Sequence, residues 1–205
     1  EAEADRDAQV AETEWLVTQM AGHSLPHAIV AHAWLHEDNS AEILAAQASF
    51  PAVRGIRSKP RTASSAAGRN GVAGTPGSMQ DPAWRTGLGR LRRHGLSWDL
   101  RVPFWHLVEA AGGCALYPDL PIVTEHTGLA WDRSAEGLAE WRRGMTALAA
   151  MEHVHLKISE MGLAGAPWDY DDNRILVREA IEIFGFNRCM FASNFPVAKL
   201  RIGYV

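Results

Sequence analysis

The sequence predicts an α/β fold built on a parallel sheet. Two observations carry that reading. Short apolar runs alternate with stretches of helical periodicity from end to end, and polar residues collect where the apolar runs stop. Alternating strands and helices imply parallel strands joined by helical crossovers. Two architectures fit: an open doubly wound sheet, or part of a (β/α)8 barrel. A complete barrel takes about 250 residues, and the chain has 205. No strand-to-helix turn carries GxGxxG, which counts against a dinucleotide fold.

Each element has its own signal. Glu12 to Ala21 places Leu16, Val17, Met20 and Ala21 on one side of a helix that Gly22 stops. His27 to Leu35 is a strand, with Ala28 to Ala31 at its centre. Asn39 or Ser40 caps a short helix that ends before Pro51, and Val53 to Arg57 is the next strand. Residues 58–80 form a long Gly/Ser-rich loop, with Gly68, Gly71, Gly74 and Gly77 among its breakers. A loop of that length inside a compact fold is expected to be a lid or disordered. Asp81-Pro82 starts a helix as N-cap and first-turn proline, with Trp84, Leu88 and Leu91 on one face.

Leu96 to Val102 is a strand, followed by a helix from Pro103 that carries Phe104, Leu107, Val108 and Ala111 inward. Pro121 to His126 is a strand. Ser134 caps a helix with Leu138, Trp141, Met145 and Leu148 in register. Val154 to Ser159 is a strand, and Asn173 to Phe184 is a helix with Val177, Ala180, Ile181 and Phe184 inward. Arg188 to Ser193 is the last strand, stopped at Asn194 by Phe195-Pro196.

Composition bounds the function. Hydrophobic residues make up 47% and charged residues 21%, so the chain is globular. A net charge of -4 gives no reason to expect nucleic acid or an anionic membrane as partner. No apolar run reaches the ~18 residues of a membrane span, and no signal peptide is visible. Cys114 and Cys189 lack CxxC neighbours and are expected to be reduced, buried thiols of a cytoplasmic protein. The basic run Arg90, Arg92, Arg93 and His94 reads as a solvated helix face.

In a parallel α/β fold, active sites form at the carboxyl ends of the strands. Those tips hold His32 with Trp34, Arg57, Asp99 with Arg101, His126, Lys157 with Ser159, and Asn194. Converging so many polar groups is costly unless something polar binds there. Strand alternation ties Thr124 and Ile122 to the face of His126, and His155 and Ser159 to the face of Lys157. Gly55 shares a face with Arg57. His23, His36, His94, His106 and His153 fall in helix ends or loops and read as surface. His153-x-His155 has metal-motif spacing but enters its strand rather than leaving it. No GxSxG elbow is present.

Five segments in order resemble the amidohydrolase-related family of metal-type TIM-barrel hydrolases, in the branch with sugar-lactone and pyrone-dicarboxylate lactonases. They are Arg54-Gly55-Ile56-Arg57, Leu96-Ser97-Trp98-Asp99-Leu100, Ile122-Val123-Thr124-Glu125-His126-Thr127-Gly128, Leu156-Lys157-Ile158-Ser159, and Arg188 to Val197. The resemblance implies a (β/α)8 barrel in which residues 1–205 form a single partial domain. The chain would cover about strands 3 to 8, without the first two strands and their His-x-His pair. It also implies that the natural protein is longer than a chain opening at Glu1.

By the same resemblance His126 matches the histidine after the sixth strand, which polarises the substrate carbonyl or binds a metal. Arg57 matches an arginine that grips the substrate, Lys157 a Lys-x-Ser strand end, and Asn194 the aspartate that activates water after the eighth strand. Asparagine cannot take that proton. The base is then His126 or Glu160, with Asn194 aiming the water.

The expected function is a hydrolase that opens a small polar lactone or related cyclic ester. Its catalytic set is His126, Asn194 and Glu160. Arg57, Lys157 and Asp99 hold substrate, Trp98, Trp34 and His32 line the pocket, and the 60–80 loop closes over it. No cofactor is required, or a divalent metal such as zinc binds at His126. The partner is a small molecule, and homo-oligomerisation is left open. The alternatives are a metal-dependent decarboxylase of the same superfamily and a non-catalytic binder on a decayed scaffold.

Overall fold

A computed structural model of the chain describes residues 5, 7–23 and 25–200. Six parallel strands form one sheet: β1 (Ile29–His32), β2 (Val53–Arg57), β3 (Ser97–Leu100), β4 (Ile122–Thr124), β5 (Val154–Ile158) and β6 (Cys189–Phe191). Their spatial order is their chain order. Each crossover therefore advances one place in the same direction. A doubly wound sheet reverses direction at a switch point, so this order selects the barrel alternative. The sheet is an arc of a (β/α)8 barrel.

Helices α1 (Gln9–Met20), α2 (Ser40–Ala48), α3 (Pro82–Arg90), α4 (Leu107–Cys114), α5 (Ala135–Ala149) and α6 (Tyr170–Phe184) lie between or beside the strands in sequence. Their starts follow local chemistry. The Asp81 carboxylate accepts from the Ala83 amide, with Pro82 in the first turn. The Ser134 hydroxyl accepts from Gly137, and Asp169 accepts from Asp172. Such caps are worth about 1 kcal/mol each. The 3₁₀ turn after α3 closes at Gly95, whose φ of 65° is the left-handed geometry that glycine adopts without penalty.

The core joins helices to sheet through large side chains. Trp84, Trp98, Trp141 and Phe184 are fully buried, each worth roughly 1.5–3 kcal/mol or more of apolar transfer. Trp98 of β3 stands edge-on to Trp84 of α3, with ring centroids 5.2 Å apart. Its indole N–H donates to the Ser58 carbonyl at 3.1 Å. Trp98 is thus a core residue on the helix side of the sheet and does not line a substrate pocket. Gly55 sits where a Cβ would come within 2.2 Å of the Ser97 hydroxyl. Its lack of a side chain lets β2 approach β3, a closer need than making room for Arg57.

Several expectations about facing are corrected. Val108 of α4 is exposed, and Ala110 takes the inward place. In α6 the inward residues are Asn173, Leu176, Ala180 and Phe184, so Val177 and Ile181 sit at the margins of the stripe. Cys114 is buried, but Cys189 is only half-buried.

His106 is buried, not at the surface. Its Nε2 accepts from the Ala63 amide at 3.0 Å, and its Nδ1 meets Glu109 at 2.6 Å. The Trp105 indole donates to the Ala63 carbonyl at 3.2 Å, and Arg61 N–H donates to Gly77 at 2.8 Å. The 58–80 loop is therefore pinned to the start of α4, and it contains a 3₁₀ turn at Ala66–Gly71.

Among the described residues, no helix is long and apolar enough to cross a membrane.

Candidate active site

The strand tips build a charged cluster on the inner face of the arc. Register explains it. Ile56 is paired with Trp98, so Arg57 falls beside Asp99 one step on. Asp99 pairs with Val123, and Val123 with His155. Two residues further along, the same face carries Glu125 and Lys157. Ile122 shares its rung with Trp98, so Ile122 and Thr124 belong to the helix side. The expectation that they share the inner face with His126 is reversed. Glu125 is the inner-face residue, and it escaped the sequence reading.

Glu125 is the centre of the cluster. Its Oε1 lies 2.6 Å from the Lys157 ammonium, and its Oε2 lies 3.0 Å from Arg57. Lys157 also donates to Asp99 at 2.5 Å, and Arg57 stands 3.7 Å from Asp99. Both carboxylates are almost wholly buried. Two half-buried cations at the strand tips needed anions beside them, and that balance was the available signal for Glu125.

The neighbours divide the pair's protons. Burial pushes Asp99 up to about 6, against the pull of Lys157. Burial also works to raise Glu125, but Arg57, a hydrogen bond from Asp99, Lys157 and His126 outweigh it and hold Glu125 at about 2. Burial works to discharge Lys157, and Asp99 and Glu125 more than offset it, keeping the ammonium protonated.

His126 reaches the same cavity because the backbone turns. Residues His126 and Thr127 have φ of 58° and 53°, followed by Gly128 at 67°. Left-handed non-glycine residues persist only where the surroundings hold them. Here the Thr127 hydroxyl donates to the Ser159 carbonyl at 3.0 Å and accepts from the Ser159 amide at 3.2 Å. The Trp141 indole donates to the Thr127 carbonyl at 2.9 Å. His126 Nδ1 lies 2.9 Å from the Ser159 hydroxyl, and Nε2 faces Glu125 at 3.4 Å. Burial lowers His126 to about 4, with Arg57 and Arg101 acting in the same direction against Glu125 and Glu160. The imidazole is neutral near pH 7. With Glu125 anionic, the favoured tautomer carries its proton on Nε2, and the Ser159 hydroxyl donates to Nδ1.

Glu160 and Asn194 share this left-handed geometry, with φ of 53° and 51°. The Asn194 amide nitrogen donates to a Glu160 carboxylate oxygen. Arg57, Lys59, Arg101, Glu125, His126, Lys157, Ser159, Glu160 and Asn194 all line one open cavity of ≈ 1030 Å³.

The expected set therefore converges in part. His126, Asn194, Glu160, Arg57 and Lys157 meet at the cavity, and Asp99 lies behind it as counter-ion. His32 is fully buried, and its Nδ1 lies 3.0 Å from the Arg57 carbonyl, tying β1 to β2. Trp34 packs edge-on to His32 and lines a neighbouring cavity instead. The 58–80 loop mostly walls that neighbouring cavity, and it reaches the cavity of His126 through Lys59.

The matches to known proteins agree with this fold. The amidohydrolase family, described as Amidohydrolase, matches residues 1–205. The chain belongs to that family. An uncharacterised protein of Sinorhizobium fredii, y4mH, is 35% identical over 193 residues, 94% of this chain and 64% of that protein. An L-fucono-1,5-lactonase of Burkholderia ambifaria is 31% identical over 125 residues, 60% of this chain and 42% of its own length. The chain thus spans less than two thirds of these relatives. An amidohydrolase from Burkholderia multivorans, solved with HEPES bound, superposes with a TM-score of 0.79 at 25% identity. That match covers 98% of this chain and 69% of the other. A zinc-bound crystal form of an amidohydrolase from the same organism gives 0.78 at 25% identity over 98% and 68%.

The residues described here do not themselves make a metal site. Among them no group of three or more His, Cys, Asp or Glu could hold an ion. His126 is engaged at Ser159 and faces Glu125, while Glu125 is bridged by two cations that would repel a third charge.

Proposed function

We propose that this amidohydrolase opens a small polar lactone by attack of water on the ring carbonyl. The observation that carries the reading is the convergence of a neutral His126, the Glu160–Asn194 pair and the cations Arg57, Lys157 and Arg101 on one cavity. The curated lactonases among its relatives support the same chemistry.

Glu160 takes the proton from water as its oxygen bonds to the carbonyl carbon. Asn194 donates to the other face of that carboxylate and fixes its direction. His126 turns its Nε2–H from the long 3.4 Å contact with Glu125 to the oxygen that gains charge, and the cations nearby lower the cost of the oxyanion. When the ring C–O bond breaks, the proton held by Glu160 passes to the departing alkoxide. The product is a hydroxy acid, whose carboxylate Arg57 can hold through its planar fork. The reading takes a small molecule as partner and a cytoplasmic setting in which Cys114 and Cys189 stay reduced.

The test is hydrolysis of a panel of sugar-acid lactones, beginning with L-fucono-1,5-lactone, followed by acid release. We expect turnover by the wild type and a loss of roughly 10²–10⁴-fold in Glu160→Gln and His126→Ala. No hydrolysis of any lactone, or full activity in both variants, overturns the mechanism.

A further inference from the structure

A second cavity of ≈ 590 Å³ adjoins the catalytic one. It lies at the same end of the sheet, on the loops that follow β1 to β4. Trp34, Trp105 and Trp131 supply its aromatic walls, and Lys59, Arg61 and Arg101 its charge. None of its lining residues is acidic. Lys59 and Arg101 also line the catalytic cavity, so the two compartments share a cationic sill.

The walls are held before any ligand arrives. Trp105 is fixed by its bond to Ala63, and the Ala63 amide by His106. The Trp105 and Trp131 rings pack on each other as a tilted pair, with centroids 5.8 Å apart at 59°. Trp131 is 39% exposed, and Arg61 is exposed. A tilted pair of indoles beside three cations offers flat apolar faces and charge together. A cavity of this size and character suits a small ring carrying an anionic group.

We infer that this second cavity is a subsite for a six-membered ring bearing a carboxylate, which is either an acidic sugar or an aromatic acid. The substrate is then a two-part molecule. Its lactone sits at His126, and its acidic ring sits against the exposed side of the Trp105–Trp131 pair, with Arg101 and Lys59 at the junction. This deepens the lactone-hydrolase reading, but its binding arm stands without turnover.

The experiment is calorimetric titration of the purified protein with D-glucuronate and with benzoate, each against its neutral counterpart, glucose or benzyl alcohol. Arg61→Gln and Trp131→Ala both alter exposed positions away from the catalytic set. We expect saturable, salt-sensitive binding of one acid, at least tenfold tighter than its neutral counterpart. That binding should weaken five- to tenfold in each variant. The acid that binds identifies the ring. The kcat for L-fucono-1,5-lactone, which lacks the second ring, should not change in either variant. If neither acid binds better than its neutral counterpart, or if both variants bind as the wild type does, the subsite is overturned. Acid binding without lactone turnover would sink the lactonase reading alone, and turnover without acid binding would sink the subsite alone.

Discussion

Lys157 and Glu125 meet at 2.6 Å on the inner face of the sheet, and Arg57 holds the other oxygen of the same carboxylate at 3.0 Å. Neither cation can leave without stranding a buried charge. Glu125→Gln keeps the shape and removes the charge that balances Arg57. The expected cost is about 3–5 kcal/mol of stability, read as a lower midpoint in urea unfolding. Lys157→Met should cost about as much, because it strands Asp99 and Glu125 together. The double variant should lose less than the sum of the two, since each change removes the partner the other left behind.

Asp99 and His126 act on stability with opposite signs as pH changes. The unfolded chain protonates His126 near 6.5, but the folded chain does so only at about 4. Its contribution is present above 6.5 and is lost as pH falls towards 4. Asp99 ionises near 3.8 unfolded and at about 6 folded. Its contribution is present below 3.8 and is lost as pH rises towards 6. Between about 4 and 6 the two slopes nearly cancel. Asp99→Asn should therefore expose a stability that rises with pH across 4 to 6.5. His126→Asn should expose one that falls from about 4 to 6. Unfolding midpoints at half-unit pH steps check both, and parallel profiles in the two variants would contradict the assignment.

Asn194 holds Glu160 as a neutral donor. Asn194→Asp replaces that bond with two carboxylates side by side, one of which must keep its proton to well above the usual range. Lactone hydrolysis at pH 7 should fall at least tenfold, and its pH profile should gain an extra ionisation. A rise in activity would mean that asparagine is the poorer residue at this tip.

Gly128 has φ of 67°, and a Cβ there would lie 2.6 Å from the Met145 sulfur and 3.0 Å from the Trp141 indole nitrogen. Gly128→Ala strains the backbone and presses on α5 at once. We expect a loss of roughly 1–3 kcal/mol and weaker protection of the turn that presents His126, seen by hydrogen exchange.

The His106 ring bridges Ala63 and Glu109. His106→Ala leaves a buried amide without its acceptor, at about 1–3 kcal/mol. Faster proteolysis confined to residues 58–80 would mark the freed loop, and unchanged cleavage there would argue against the anchor.

Much of the fold was legible in the sequence because local rules decide it. Asp81-Pro82, Ser134 and the β-branched runs at Val53 and Val154 act through their own backbone and neighbours, so the starts of α3 and α5 and the positions of β2 and β5 could be read directly. The strand tips were legible too, since polar groups at Arg57, His126, Lys157 and Asn194 interrupt apolar runs. What the sequence alone determined is thus a parallel α/β chain with its charge gathered at the strand ends. Alternation alone left two architectures open, because strand order is set by crossovers and leaves no local trace; the family resemblance pointed to the barrel, and the strand order of the tertiary structure shows it. Only the tertiary structure decided which residue stood at the centre. Register put Glu125 between Arg57 and Lys157, and a left-handed turn brought His126 round beside it. Neither effect can be read from alternation along a single strand, because both depend on what the neighbouring strand holds in place.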